Sequence, residues 1–365
     1  MDAEARNRIA VDYVGAFQRD GSRALIDNLD THVTLHRWGD HLLPLTVNDG
    51  ARGGTFVCSP RVGYRDYPLE ELGHFPNRAL IPPLRLLIRS IGALLDRCQV
   101  DRVVHVNNWM MSTNLPVALD PALASAQTDA LTDAWPTHLL AIRSLTRRHS
   151  APLIDALEAA GWILLPSRQV FIVDDVAQAC LPRRDTKRDD RLWAAGTFAY
   201  QELTEVAGED AARIAALYAL LYREKYSQLN PAFTPAFVML TARIGLLRYL
   251  VLRDRGGVIQ GFGAMFHAGS DATMPLLGYD THADQALGLY RLSFHAGTRY
   301  AARHGLRFNM SSGATAFKRH RGATPEMEFT AFYPHHLPAG RRRPFGLLQA
   351  LANRIAMPML RKYQL

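Results

Sequence analysis

Between residues 246 and 280 three strand-length runs follow one another: LLRYLVLRD (246–254), VIQGFGAMFHA (258–268) and ATMPLLGYD (272–280). Each is separated from the next by three residues, too few for a crossover helix, so successive strands must be antiparallel neighbours. Arg255-Gly256-Gly257 supplies the glycines of a tight hairpin turn. Such a meander has to be covered on one face, and the segments after it provide the cover. A helical pattern over 283–304, ADQALGLYRLSFHAGTRYAARH, stops at Gly305, and LRFNM (306–310) reads as a short buried strand. SSGATAFKRHRGA reads as a polar, glycine-flanked loop and EMEFTAFY (326–333) as a final strand.

Upstream, GTFAYQELTEV (196–206) alternates like a strand. Gly208-Glu209-Asp210 opens a helix, AARIAALYALLY (211–222), with acidic residues in its first turn. A polar loop, REKYSQLNPAFT, leads to Thr234-Pro235, an N-cap followed by proline at the first helical position. The order is β-α-α-β-β-β-α-β-loop-β, an α+β or mixed α/β plan. The first half is similar: TFVCSP (55–60), RVVHV (102–106), HLLAIRSL (138–145) and WILLPSRQVFIV (162–173) read as strands. Helical stretches at 79–97, 121–134 and 151–160 separate them. The alternation in both halves suggests a duplicated unit, although no direct sequence repeat is visible. The charge-dense seam LPRRDTKRDDRLWAAG (181–196) places the boundary near Pro182, giving halves 1–181 and 182–337 and a tail 338–365.

Hydrophobic residues make up 48% of the 365 and charged residues 21%, which excludes wholesale disorder. No apolar run reaches the ~18–20 residues that span a bilayer. The start, MDAEARNRIAVDYVGAFQRD, has no signal-peptide core, and Cys58, Cys98 and Cys180 form neither a disulfide framework nor a metal clip. The expected compartment is the cytoplasm. Of the net charge of +8, the tail contributes +6 (Arg341, Arg342, Arg343, Arg354, Arg361, Lys362), leaving +2 on residues 1–337. That concentration argues against a dedicated DNA-binding protein, which spreads its basic residues over a docking face. The tail, residues 341–365, has Leu347, Leu348, Leu351 and Ile355 at helical spacing. It reads as a C-terminal helix docked on the body, a peripheral membrane contact on anionic lipid, or a contact for an RNA acceptor arm.

The stretches LYREKYSQLNPAFT, PLLGYD, ALGLYRLSFHAGTRYAARHGLRFNMSSG and AFKRHRGATPEMEF carry a resemblance. With the element order of 196–333 they resemble the GCN5-related N-acyltransferase (GNAT) fold. The two-half arrangement, with SPRVGYRDY, VHVNNW and LPSRQVF, is similar to FemAB-like and CelD/BioF2-like proteins. The resemblance implies tandem acyltransferase-type halves and transfer of an acyl or aminoacyl group to a small-molecule or peptide amine, with no bound cofactor. Its donors are acyl-CoA (acetyl-CoA in N-acetyltransferases) or, in some FemAB-like relatives, aminoacyl-tRNA. Acetyl-CoA enzymes of this fold carry [RQ]xxGx[GA] before the long helix, where this chain has GYDTHADQALG. Asp280 and Asp284 there oppose an anionic phosphate at the helix terminus. The departure points toward the FemAB-like branch and leaves the donor, CoA thioester or tRNA, open.

In FemAB-like enzymes a lysine after an aromatic is linked to stabilising charge on the scissile carbonyl, a role carried here to Lys318 after Phe317. Arg319 and Arg321, with Arg291, Ser311 and Ser312, are candidates for donor phosphates. Asp280, beside Tyr279 at a strand end, either assists the amine's proton or caps the next helix. Glu328 is a second candidate base. Tyr290 either donates to the leaving group or packs on the sheet. Tyr279, Lys225, Asn230, Asn108 and Trp109 are candidate acceptor-side residues, with Arg61, Tyr64, Tyr67 and Asn107 beside them. His32, His36 and His41 near Asp40 invite a metal reading. However, two histidines four apart on a strand stand ~13 Å from each other, and zinc ligands converge to about 2.0–2.1 Å of one ion, so no metal is expected. The rival class is a non-catalytic protein of this fold that binds RNA or anionic membrane through its tail.

Overall fold

A computed structural model describes residues 3–50, 54–75, 77–115 and 119–363. The extreme ends discussed above, 1–2 and 364–365, lie outside the described residues. The architecture is mixed α/β. One sheet contains β1 (His32–Trp38), β2 (His41–Asp49), β3 (Arg102–Val106), β4 (Leu139–Thr146), β5 (Ile163–Val173), β6 (Ala199–Leu203), β7 (Arg248–Arg253), β8 (Ile259–Ala268), β9 (Asp271–Tyr279), β10 (Arg307–Asn309) and β11 (Thr324–Tyr333). Their order across it is β1-β2-β3-β4-β11-β5-β10-β9-β8-β7-β6.

The duplication expected from the alternating pattern is written in the pairing. In the first half an antiparallel run β1-β2-β3 leads through the helix Ala124–Ala134 to β4, parallel to β3. In the second half the antiparallel run β7-β8-β9 leads through the helix Leu289–Arg303 to β10, parallel to β9. The last strand of each unit is exchanged. β5 pairs antiparallel with β10 and β11, and β11 pairs antiparallel with β4 and β5. Strands of the two halves therefore interleave at the centre.

Helices cover both faces. The Ala3–Asp20 helix buries Tyr13, Val14 and Phe17 in a cluster that also holds Phe237, Phe262 and Phe266. Leu289–Arg303 lays Phe294, Tyr300 and Ala301 over β8–β10 with Phe308 and Met265. Thr234 caps its helix as expected, its side chain accepting from Phe237 N.

Four local expectations change. TFVCSP is a turn rather than a strand, because Thr55 O accepts from both Cys58 N and Ser59 N. β2 and the first helix have no counterpart in the sequence pattern; β2 runs through Pro44, whose carbonyl accepts from Asn108 N. The long helix begins at Leu289, since Asp284 caps a short turn of its own and Gly288 lies at φ +63° with Leu192 where a Cβ would be. The basic loop after Gly313 contains a helix, Thr315–His320, that turns Lys318 inward and leaves Arg319 and His320 exposed. Gly322 ends it at φ +94°, where a Cβ would sit 2.2 Å from Ala179 O.

The tail folds back as helices Pro344–Leu351 and Met357–Tyr363. Phe345 and Leu348 are buried with Leu95 and Cys98, and Arg341 donates to the carbonyls of Cys98, Gln99 and Thr137. Docking on the body thus occurs. No helix among the described residues is long and apolar enough to cross a membrane.

Candidate active site at the opening between two parallel strands

Parallel strands β9 and β10 pair only over Asp271–Thr273 and Arg307–Asn309, although β9 continues to Tyr279. Beyond Asn309 the chain veers off: Asn309 Oδ1 accepts from Ser311 N at 2.8 Å, and Ser311 adopts φ 60°. The sheet splays there. A loop from the first half enters the opening, with Thr113 Oγ1 3.1 Å from Ser311 Oγ and Ser112 Oγ 3.5 Å from Pro275 O.

Lys318 sits at this point with 3% of its surface exposed. Its Nζ donates to Ser311 O (3.1 Å) and Ser312 O (2.5 Å) and lies 5.8 Å from the Phe171 ring centroid. No carboxylate among the described residues pairs with it. Burial, then the like charge of Arg168, pulls its pKa down to about 7. Two of its protons are held by carbonyls, and no third partner is present among the described residues.

Arg168 and Glu328 are directly opposite each other on β5 and β11. Arg168 Nε donates to Glu328 Oε1 at 2.9 Å and Nη2 to Oε2 at 3.2 Å. Nη2 also reaches Ser112 O (2.6 Å) and Thr113 Oγ1 (2.9 Å), and Nη1 reaches Ser312 Oγ at 3.3 Å. Glu328 is therefore a counter-ion and positioning group, engaged on both oxygens. Two bulges flank it. Ser167 is the extra residue between the pairs Arg168–Glu328 and Pro166–Phe329, while Arg143 and Ser144 together oppose Thr330. Bulges re-aim side chains, and here Ser167 Oγ meets Thr330 Oγ1 at 3.0 Å and Tyr64 OH at 3.2 Å.

Aromatic residues wall the opening. Tyr290 lies 5.0 Å from Phe317 and 6.0 Å from Tyr279, and burial raises its phenol well above the usual value. Tyr222 stacks on Tyr218 at 4.8 Å and is within electrostatic range of Tyr290, Tyr226, Tyr67 and Arg168. The structure thus brings together Lys318, Glu328, Tyr290, Tyr279, Ser311 and Ser312.

The remaining candidates lie elsewhere or are occupied. Asp280 accepts from His282 N and pairs with Arg213 at 3.0 Å; partial burial pushes its carboxyl up, but Arg213 outweighs that and holds it below the usual range. Arg291 and Arg321 both grip Asp189, a fully buried carboxylate, at 2.6 Å, and Arg321 also covers the Phe317 ring at 3.5 Å. Arg319 and Lys225 are exposed, the latter 6.0 Å from the Tyr226 ring. Asn230 is committed to the carbonyls of Tyr222 and Ser227. Asn108 and Trp109 are fully buried, and Arg61 pairs with Asp66 and Asp96. His36 meets Gln127 across 2.7 Å, and no cluster of three metal-ligating residues exists among the described residues. Arg168, Arg143, Ser167 and Tyr222 join the site without being candidates from the sequence. The available signal was an arginine inside each of two mostly apolar strand-like runs, HLLAIRSL and LPSRQVFIV.

No family model matches this chain, and no curated protein matches it. Solved structures do. The chain is similar to L-PGS from Bacillus licheniformis (13% identity, TM-score 0.45, covering 69% of this chain and 82% of that one). It is also similar to FemX (10%, TM-score 0.46, 64% and 81%) and to a tandem GNAT protein from the clavulanic acid biosynthesis pathway (13%, TM-score 0.38, 65% and 76%).

Proposed function

We propose that the chain is an N-acyltransferase that moves an acyl or aminoacyl group from a thioester or ester donor to an amine at the β9–β10 opening. The observation that carries this reading is Lys318: a buried ammonium without a counter-carboxylate, fixed by two carbonyls, with one N–H direction unused. A preorganised donor of this kind favours charge that appears only in the transition state. The amine attacks the acyl carbonyl, the oxygen gains negative charge beside Lys318, and collapse expels the thiolate or ribose oxygen, which leaves with the amine's proton. Glu328 keeps Arg168 oriented toward Ser312 and Thr113, and the tyrosines exclude water.

Donors are found by thermal shift with acyl-CoA thioesters and aminoacyl-tRNAs, since a ligand at 100 times its Kd stabilises by ~2.7 kcal/mol. With the donor in hand, Lys318→Ala is expected to lower turnover ~10²–10³-fold. The protonated lysine is the active form, so the rate is expected to fall as pH rises through about 7. An unchanged rate, or a rise through that pH, removes the role. Arg291 and Arg321 are internally paired, so a CoA or tRNA donor is expected to place its phosphates elsewhere, with Arg319 the exposed cation nearest in sequence to Lys318.

A second reading, compatible with the first, rests on one surface. Leu86 (68% exposed) and Leu347 (51% exposed) stand on two helices that pack together, with Arg85 and Arg89 exposed on the first, Arg343 exposed just before the second and Arg354 in the turn after it. Exposed leucines among arginines fit a peripheral contact with anionic lipid. Co-sedimentation with phosphatidylglycerol vesicles but not phosphatidylcholine vesicles is the expected result, and Leu86→Ser with Leu347→Ser is expected to weaken it. Binding to RNA with no binding to either vesicle would assign the surface to nucleic acid.

A further inference from the structure

Three cations, Lys318, Arg168 and Arg143, lie near one another, and among the described residues Glu328 is the only carboxylate that pairs directly with any of them. Burying unbalanced charge is costly, so a persistent excess marks a place where a ligand completes the balance. Arg168 already holds Glu328, and Lys318 is assigned above to the reacting carbonyl. Arg143 remains.

Arg143 is placed by the bulge in β4 that sets it and Ser144 opposite Thr330, with Ser144 at φ 63°. Its Nη1 donates to Val57 O (3.0 Å) and Asn108 Oδ1 (3.2 Å), and its guanidinium lies 5.8 Å from the Phe56 ring centroid. Phe56 in turn meets Tyr67 edge-on at 5.5 Å. Nε and Nη2 make no hydrogen bond to any described residue, yet neither belongs to the buried polar atoms left without a partner. That edge therefore opens onto accessible space. Arg143 is within electrostatic range of Glu328, Arg168 and Tyr64, and the residue it opposes, Thr330, meets Ser167 beside Arg168, so its guanidinium is a neighbour of the Arg168–Glu328 pair. An Nε–Nη2 edge presents two parallel donors to two oxygens of one anionic group.

We infer that Arg143 forms an anion subsite, and that the amine acceptor carries a carboxylate or phosphate group which this guanidinium grips while the amine reaches the acyl carbonyl. The inference rests on the transfer reading for the word acceptor, and on the free guanidinium edge alone for the word anion. Neutral amines of the same size lose this contact.

The test begins without any transfer assay. Thermal unfolding of the full chain is followed in acetate, in inorganic phosphate and in chloride at matched ionic strength. A saturable rise in midpoint with acetate identifies a carboxylate subsite, and with phosphate a phosphate subsite. Arg143→Gln is expected to abolish the rise and Arg143→Lys to weaken it. Because Arg143 also holds Val57 and Asn108, Arg143→Gln is first checked for a native near-UV spectrum. If it does not fold, the wild-type comparison of acetate with uncharged acetamide decides. No rise beyond chloride in the wild type, or the same rise in Arg143→Gln, overturns the subsite. Once a donor is known, Arg143→Lys is expected to raise KM for an anionic acceptor about 10- to 100-fold, with kcat little changed. Anion binding at Arg143 with no turnover on any donor would leave the subsite standing and sink the transfer reading. Turnover with neutral and anionic acceptors at equal KM would do the reverse.

Discussion

The two halves offer the same opening twice, and they have done opposite things with it. In the first half β3 ends at Val106 while its parallel partner β4 runs on to Thr146. The space beyond is filled. Trp109 is fully buried, its Nε1 held by Asn107 Oδ1 at 2.9 Å and its carbonyl by Tyr13 OH at 2.7 Å. Asn108 donates to Thr46 and Val57 and accepts from Met110 N and Arg143. In the second half the equivalent space holds an ammonium that pairs with no carboxylate among the described residues. Splayed parallel strands are thus a geometry, not a chemistry: one copy is a packed and hydrogen-bonded plug, the other a poised charge. The plug also serves its counterpart, since the loop it anchors delivers Ser112 and Thr113 to Arg168 and Ser311.

The contrast can be broken from the filled side first. Trp109→Ala is expected to cost about 3–5 kcal/mol of unfolding free energy, read by urea denaturation. A loss below 1 kcal/mol would mean that the first opening is not packed as described. Lys318→Met is expected to act in the opposite direction, stabilising the fold by about 2–4 kcal/mol at pH 6. The sign follows from the depressed pKa. Below about 7 both folded and unfolded chains carry the proton and the full cost of the buried ammonium is present. From about 7 toward 10.5 only the unfolded chain binds it, so wild-type stability rises with pH and the variant's advantage fades. An advantage that stays constant from pH 6 to 10 would contradict the burial. Asn108→Ala should cost about 1–3 kcal/mol, because it leaves buried partners unsatisfied. The smallest effect concerns backbone. Ala314 sits at φ 48° ahead of the Lys318 helix, and Ala314→Gly is expected to stabilise by about 0.5–1 kcal/mol, visible as a small rise in midpoint.

Much of the second half was legible because its signals are local. The meander, the Thr234 cap and the Gly305 stop rest on residues within one turn of each other, and each element formed close to where its pattern lies. Phe317-Lys318 was legible as chemistry but not as structure: a run of cations reads as solvated, and only packing under Phe171 turns one of them inward. Arg168 and Arg143 were harder. Arg168 meets Glu328 only through a strand pairing across 160 residues, and Arg143 is aimed by a bulge opposite the same distant strand toward Val57, Asn108 and Phe56, so no local spacing encodes either. Arg321 and Arg291 failed as free phosphate ligands for the same reason, since Asp189 lies in the seam between the halves and gives no sign in sequence that it faces inward.

The exchanged strands set a timetable for the growing chain. β5 is finished at Val173, but its hydrogen-bonding partners are β10 and β11, the second of which ends at Tyr333. Until β10 at Arg307–Asn309 is made, one of the most apolar strands has no partner, and β4 keeps an open edge until β11 is complete. Neither copy can close its own sheet early. The molecule reaches its native form only when nearly all of it has left the ribosome, and until then it exposes the sort of edge on which chaperones act.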